Sequence, residues 1–295
     1  MLCAIWSSTW LFIKVGLNDH LPPMWFAGLR FVVASGALML VNRWRRAPLP
    51  RNADDWGLIA WTGFLVFTVN YGLLFWGEGR ISSGLCAVLQ ATIPAFGLIF
   101  AHLYIPGERL TGPKIGGVAL GLLGVGIIFS DQLHLAGTSA LWGSAAIVVG
   151  AASASYSSVL VKAKGKHLDP AVLSAGQMIC GWVPLCLLGA CFEGAPWKFH
   201  WTGQAVFSLF YLALLGSSLA FCLMYWLVQR VEVTKIMLIS LVTPVAAVII
   251  GALVLNEKLS PHAMLGGLCV LLGLGLVIYR RAPVVPTQAL ESAEG

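Results

Sequence analysis

The feature that most constrains this chain is a succession of long apolar runs separated by short clusters of charged, Gly/Pro and Asn/Asp residues. Ten runs are long enough to matter, at about 2–17, 22–42, 56–76, 82–104, 112–130, 138–161, 170–192, 202–227, 233–255 and 261–280. About 20 helical residues cross the roughly 30 Å of bilayer hydrocarbon. The runs lack the apolar–polar alternation of barrel strands, so helices are the expected spanning elements. Of the 295 residues, 58% are hydrophobic and 10% charged, against roughly 25% charged in soluble domains. A soluble fold would have to expose much of that apolar surface. The chain therefore reads as an all-α integral membrane protein whose partner is the lipid bilayer. A disulfide scaffold, a nucleic-acid reader and most soluble enzymes are excluded. Seven cysteines, an odd number without a CxxC pair, read as small buried hydrophobes, and no metal or cofactor is expected. The first run lacks a basic leader and a small-residue cleavage site, so no signal peptide is expected.

Lys and Arg set the expected orientation. With the N-terminus cytoplasmic, thirteen of them fall in inside loops or ends and four outside, leaving Arg30 within a span. That asymmetry places both termini in the cytoplasm. The two halves also resemble each other. Arg80 recurs as Arg230, Pro94 as Pro244 and Gly116-Gly117 as Gly266-Gly267, each 150 residues on. Lys14 and Pro22 recur as Lys162 and Pro170 at 148, and Glu108-Arg-Leu as Glu257-Lys-Leu at 149. A unit of five crossings must begin its second copy from the opposite side, which makes the repeat inverted. The expected organisation is a first five-helix repeat at 1–130, a linker at 131–137, a second repeat at 138–281 and a disordered tail at 282–295.

The run Trp6-Ser-Ser-Thr-Trp10 followed by Lys14 resembles the first-helix signature of EamA-type members of the drug/metabolite transporter superfamily. Pro94…Glu108-Arg-Leu…Gly116-Gly117 resembles the end of the EamA repeat, as does its copy Pro244…Glu257-Lys-Leu…Gly266-Gly267. The resemblance covers about residues 1–281. It implies ten transmembrane helices around a central cavity lined mainly by helices 1–4 and 6–9, with helices 5 and 10 packed outside. Known members move amino acids and related metabolites, usually outward. Size, helix count and aromatic content are similar to bacterial aromatic amino acid exporters.

Polar residues inside spans are costly unless they face a cavity or a partner. Arg30 lies about eight residues into the second span, where it could receive a carboxylate through paired hydrogen bonds or brace helix-end carbonyls. Asn70, Tyr71, Gln90, Tyr156, Gln177, Tyr225 and Thr243 supply amides and hydroxyls, and Trp10 and Trp226 supply rings for stacking. Each of these could instead bond or pack only between helices, or sit in an interfacial belt. Pro94 and Pro244 each remove a helical N–H and are candidate hinges. The glycines of helices 5 and 10 allow close backbone approach, within the bundle or between two copies.

Every acidic residue falls at a predicted helix end, in a loop or in the tail. Without a mid-membrane carboxylate, cationic drugs are poorer candidate substrates than zwitterions or anions. No HExxH, GxSxG or paired intramembrane carboxylate suggests an enzyme, and no filter motif suggests a channel. The sequence points to a carrier, monomeric or homodimeric, of small-molecule substrates. It would export amino acids, with large apolar and aromatic ones favoured, by alternating access in a bacterial inner membrane. A broad exporter of hydrophobic drugs or metabolites is the alternative.

Overall fold

A computed structural model describes the chain except residues 20, 79, 82, 129, 131–136, 200, 247–260 and 279–295, and except the side chains of 10, 11, 14, 17, 18, 78, 83, 84, 198 and 263. The tail at 282–295, most of the linker and the end of the ninth run thus lie outside the described residues.

The described chain is helical from end to end. Helix α1 spans Leu2–Asn18, α2 Pro23–Trp44 and α3 Ala53–Gly77, and α4 comes in two pieces, Ser83–Gln90 and Ile93–Tyr104. There follow α5 Gly112–Ile128, α6 Gly137–Lys164, α7 Pro170–Phe192, α8 Gly203–Arg230, α9 Val233–Ala246 and α10 Pro261–Ile278. Six of them (α2, α3, α4, α6, α7 and α8) are long and apolar enough to cross a membrane, and α5, α9 and α10 carry shorter apolar stretches. Burial is inverted relative to a soluble protein. Leu103, Leu123, Leu187 and Phe207 are exposed, whereas Thr62, Ser157, Ser174 and Ser217 are fully buried. Such a surface belongs in lipid, and the chain is a multi-pass membrane protein.

Helix starts follow local chemistry. Pro23 opens α2 and Pro170 opens α7, where a missing N–H costs nothing. Asp169 caps α7 by accepting the N–H groups of Ala171 and Val172. The first N–H groups of α2 are met from a distance. The Glu193 carboxylate at the end of α7 accepts from Met24 and Trp25 at 2.9 and 3.0 Å. At the other end of the same pair, Arg45 meets Asp169 at 3.2 Å. Helices α2 and α7 are therefore pinned at both ends.

Two helices loosen in their middles. Phe64–Asn70 in α3 and Leu214–Leu219 in α8 are π-helical, and they begin 150 residues apart. Each π segment is held by a hydroxyl at the same 150-residue spacing. Thr68 donates to the Gly181 carbonyl on α7 at 2.9 Å, and Ser218 donates to the Ala34 carbonyl on α2 at 3.1 Å. The helix ends match too. Arg80 donates to the Trp76 carbonyl and lies 3.7 Å over its ring, as Arg230 does with Trp226 at 4.4 Å. In packing, α3 lies against α6 and α7, while α8 lies against α1 and α2. Helices α5 and α10 lie along each other on a seam of glycine. A Cβ on Gly117 would sit 2.5 Å from the Gly273 carbonyl, and one on Gly124 would sit 2.5 Å from the Gly266 carbonyl. The close approach is thus made inside one bundle.

Several basic side chains are tied down where the α6–α7 and α8–α9 loops meet the starts of α3 and α5. There Lys162 donates to the Val231 carbonyl at 2.7 Å, Gln229 to that of Leu168 at 2.7 Å, and His167 meets Asp55 at 2.9 Å. Lys114 and Lys235 both reach Glu232, at 3.0 and 3.2 Å. Burial opposes ionisation of Glu232, but the two ammonium groups outweigh it and hold the carboxyl below its usual range.

Candidate functional site

Helices α1, α2, α3, α4, α6, α8 and α9 enclose a cavity of about 200 Å³. That is below the roughly 300–1,000 Å³ typical of drug-sized sites, and suits a small metabolite. Most of its wall is apolar, with Trp6, Phe75 and Phe221 supplying rings. The polar groups come from the middle of the bundle. Two of the helices that supply them, α3 and α8, carry the π segments, and two others, α4 and α9, carry Pro94 and Pro244.

Arg30 is the one cation among the described residues lining the cavity, and it is 3% exposed. Its Nε donates to Ser217 Oγ at 3.1 Å and its Nη2 to the Tyr71 hydroxyl at 3.3 Å. The guanidinium also lies 4.8 and 5.2 Å from the ring centres of Phe31 and Tyr71. No carboxylate lines the cavity among the described residues. The charge is thus solvated by two neutral hydroxyls and two π faces, which leaves donors for an anion. Tyr225 is fully buried on the same wall, and its hydroxyl faces the Gln177 side chain of α7. Across the cavity, Gln90 Nε2 donates to Asn70 Oδ1 at 3.4 Å.

The structure therefore brings Arg30, Asn70, Tyr71, Gln90, Tyr225, Thr243 and Pro244 to one wall. It places four other expected residues elsewhere. Gln177 is sealed between α7 and α3, where Gly63 lets the backbones approach, and it donates to Thr62 Oγ1 at 2.6 Å. With it, α7 as a whole lies off the wall. Tyr156 is two residues from both Ala154 and Ser158, which do line the cavity, so its ring points to another side of α6. There it packs edge-on against Phe100 and Tyr104. Trp226, one position past Tyr225, faces outward, 47% exposed under the Arg230 guanidinium. Pro94 is buried behind Ile93, which lines the wall in its place. The Trp10 side chain lies outside the described residues. Two residues of the site escaped the sequence reading although a signal existed: Ser240 on the wall, and Ser217 behind it. Ser240 stands four before Pro244 as Gln90 stands four before Pro94, and Ser217, which holds Arg30, sits in a π segment that repeats the one ending at Asn70.

Comparison with known proteins places this architecture. The family model described as the EamA-like transporter family matches residues 1–130 and 141–279. The chain is 30% identical over 270 residues to the uncharacterized transporter YoaV of Bacillus subtilis (strain 168), covering 92% of this chain and 91% of that one. It is 28% identical to a probable amino-acid metabolite efflux pump of Escherichia coli (strain K12), covering 95% and 93%. A solved crystal structure superposes with a TM-score of 0.81 at 17% identity, covering 94% of both chains, which shows a shared fold. On the match across both halves, the chain belongs to the EamA-like transporter family.

Proposed function

We propose that this chain is a carrier that exports amino acids, aromatic and other large apolar ones above all, and related small metabolites. The carrying observation is Arg30: a buried guanidinium without a carboxylate partner in a small cavity walled by aromatic and aliphatic side chains. A substrate carboxylate would accept from the guanidinium and from the Tyr71 hydroxyl beside it, and a large apolar side chain would lie against Trp6, Phe75 and Phe221. The relative named as an amino-acid metabolite efflux pump supports the same substrate class.

The mechanism we infer is alternating access between two inverted five-helix repeats, at 1–130 and 138–281 in a ten-helix bundle. The recurrence of π segments, anchoring hydroxyls and Trp–Arg pairs at a spacing of 150 residues supports it. The asymmetry of Lys and Arg between the two sets of loops supports cytoplasmic termini in a bacterial inner membrane. The same features support a transporter, monomeric or homodimeric, over a catalyst. The test is efflux of labelled phenylalanine from proteoliposomes. Saturable, protein-dependent efflux that Arg30→Ala reduces about tenfold or more is expected, the worth of a lost charge-assisted hydrogen bond. Absence of efflux from folded, inserted protein would overturn the reading. The largely apolar wall favours one second reading, a broad exporter of hydrophobic compounds. It would be marked by equal transport of phenylalanine and its amide, and by indifference to Arg30→Ala.

A further inference from the structure

The cavity wall carries a second recognition element, made of backbone. Pro94 has no N–H, so the carbonyl four residues earlier, that of Gln90, loses its helical donor. Pro244 does the same to the carbonyl of Ser240. Gln90 and Ser240 both line the cavity, and they stand 150 residues apart, one on each half. The Ser240 carbonyl accepts a long 3.3 Å bond from the Thr243 hydroxyl. On the α4 side the helix is broken outright: Thr92 closes a tight turn onto the Leu89 carbonyl with both its N–H and its hydroxyl. Beside Gln90 stands Asn70 Oδ1, which accepts one weak bond at 3.4 Å and has a lone pair to spare.

We infer that these acceptors form an ammonium subsite, and that the carrier selects zwitterionic α-amino acids over plain carboxylates of the same shape. The chemistry is one of division. Arg30 and Tyr71 offer hydrogen-bond donors to an anion. Gln90, Ser240 and Asn70 offer oxygen acceptors without formal charge, which suit the three N–H bonds of an ammonium group. A carboxylate at that position would bind more strongly to cations without the acid group; neutral carbonyls make the cation depend on its own carboxylate being held by Arg30. The inference rests on the reading of Arg30 as the carboxylate receptor.

The test uses the full chain in proteoliposomes, with labelled phenylalanine efflux as reporter and two competitors inside. One is 3-phenylpropionate, which lacks the ammonium, and the other phenethylamine, which lacks the carboxylate. Both are expected to compete about tenfold or more less well than unlabelled phenylalanine. Pro94→Ala and Pro244→Ala each restore an N–H to the freed carbonyl. They should shrink the advantage of phenylalanine over 3-phenylpropionate about threefold or more, the ratio being read whatever either change does to transport as a whole. Pro184→Ala is the control, because the Cys180 carbonyl it affects lies off the cavity wall. Competition by 3-phenylpropionate equal to that of phenylalanine, with Arg30→Ala weakening both, would overturn the ammonium subsite and keep the carboxylate reading. Proline variants that lower both ligands in proportion would also overturn it, and would make the prolines hinges alone. If phenylalanine is not exported at all, the carboxylate reading fails first and the subsite with it.

Discussion

Replacing Glu108 by alanine tests how the start of α9 is held. Glu108 lies in the loop between α4 and α5 and is 7% exposed. One carboxylate oxygen accepts the Val233 N–H at 3.1 Å, and the other faces the Thr234 hydroxyl at 3.4 Å. Val233 and Thr234 are fully buried and open α9, whose own N-cap residue, Glu232, makes no side-chain cap bond. The sequence motif Glu-Arg-Leu thus has a physical task, capping a helix of the other half of the chain. Loss of a hydrogen bond to a charged acceptor costs about 1.5–3 kcal/mol. Loss of an anion at a partly buried helix N-terminus adds up to about 2 kcal/mol. Against this stands the desolvation that the carboxylate no longer suffers, so a net cost of about 2–4 kcal/mol follows. At roughly 2–4 °C per kcal/mol for a chain of this size, Tm in detergent should fall by about 5–10 °C. Glu108→Gln keeps an acceptor of the same shape and should lose about half as much. Thermal unfolding followed by tryptophan fluorescence or by size-exclusion recovery reads both. A Glu108→Ala protein whose Tm stays within about 1 °C of the parent would refute the capping argument.

Three further outcomes are expected. Gly124→Ala puts a Cβ 2.5 Å from the Gly266 carbonyl, and forcing the two backbones apart should cost about 1–3 kcal/mol; Gly126→Ala, with nothing within 4 Å, should be neutral or slightly stabilising, and equal Tm values for the two would sink the seam. The Glu232 carboxyl is held below its ordinary value of 4.5, so its ion pairs add stability that is present above that pH and lost as pH falls through the lower folded value. A Lys114→Met variant should flatten the acid limb of the stability profile, and an unchanged limb would assign the acid sensitivity to other groups. Finally, Arg30→Lys keeps the charge but loses the fork that reaches Ser217 and Tyr71 together, so phenylalanine efflux should fall several-fold, between wild type and Arg30→Ala; full activity would mean that charge alone suffices there.

The helical elements were legible because the length of an apolar run is a one-dimensional signal, and the turns at Pro22–Pro23, Asp169–Pro170 and Thr202 carry their own caps. Rotation about each helix axis was not. Tyr225 and Trp226 are adjacent and equally attractive in the sequence, yet a 100° step sends one to the cavity and the other outward. Tyr156 failed for the same reason, since the lipid and cavity faces of α6 are both apolar and no polar stripe tells them apart. A further source of error is the π geometry of α3 and α8, which advances each face by an extra fraction of a turn. Gln177 lies off the lining because Gly63 allows a backbone contact that closes over it. Arg30, Asn70 and Gln90 could be picked out because a cation or an amide inside a span has few tolerable places to go.

The glycine seam between α5 and α10 has a mechanical consequence. At Gly117–Gly273 and Gly124–Gly266, backbone touches backbone, and the short side chains of Val277, Val270 and Ile128 fill the space beside it. Such a contact holds the two axes at a short fixed distance. The pair can therefore serve as a fulcrum, shared unchanged by every state of a moving bundle. In the alternating-access carrier proposed above, damage there should lower the stability of all states together, leaving the balance between inward- and outward-open forms as it was. Damage at the π segments should instead tip that balance.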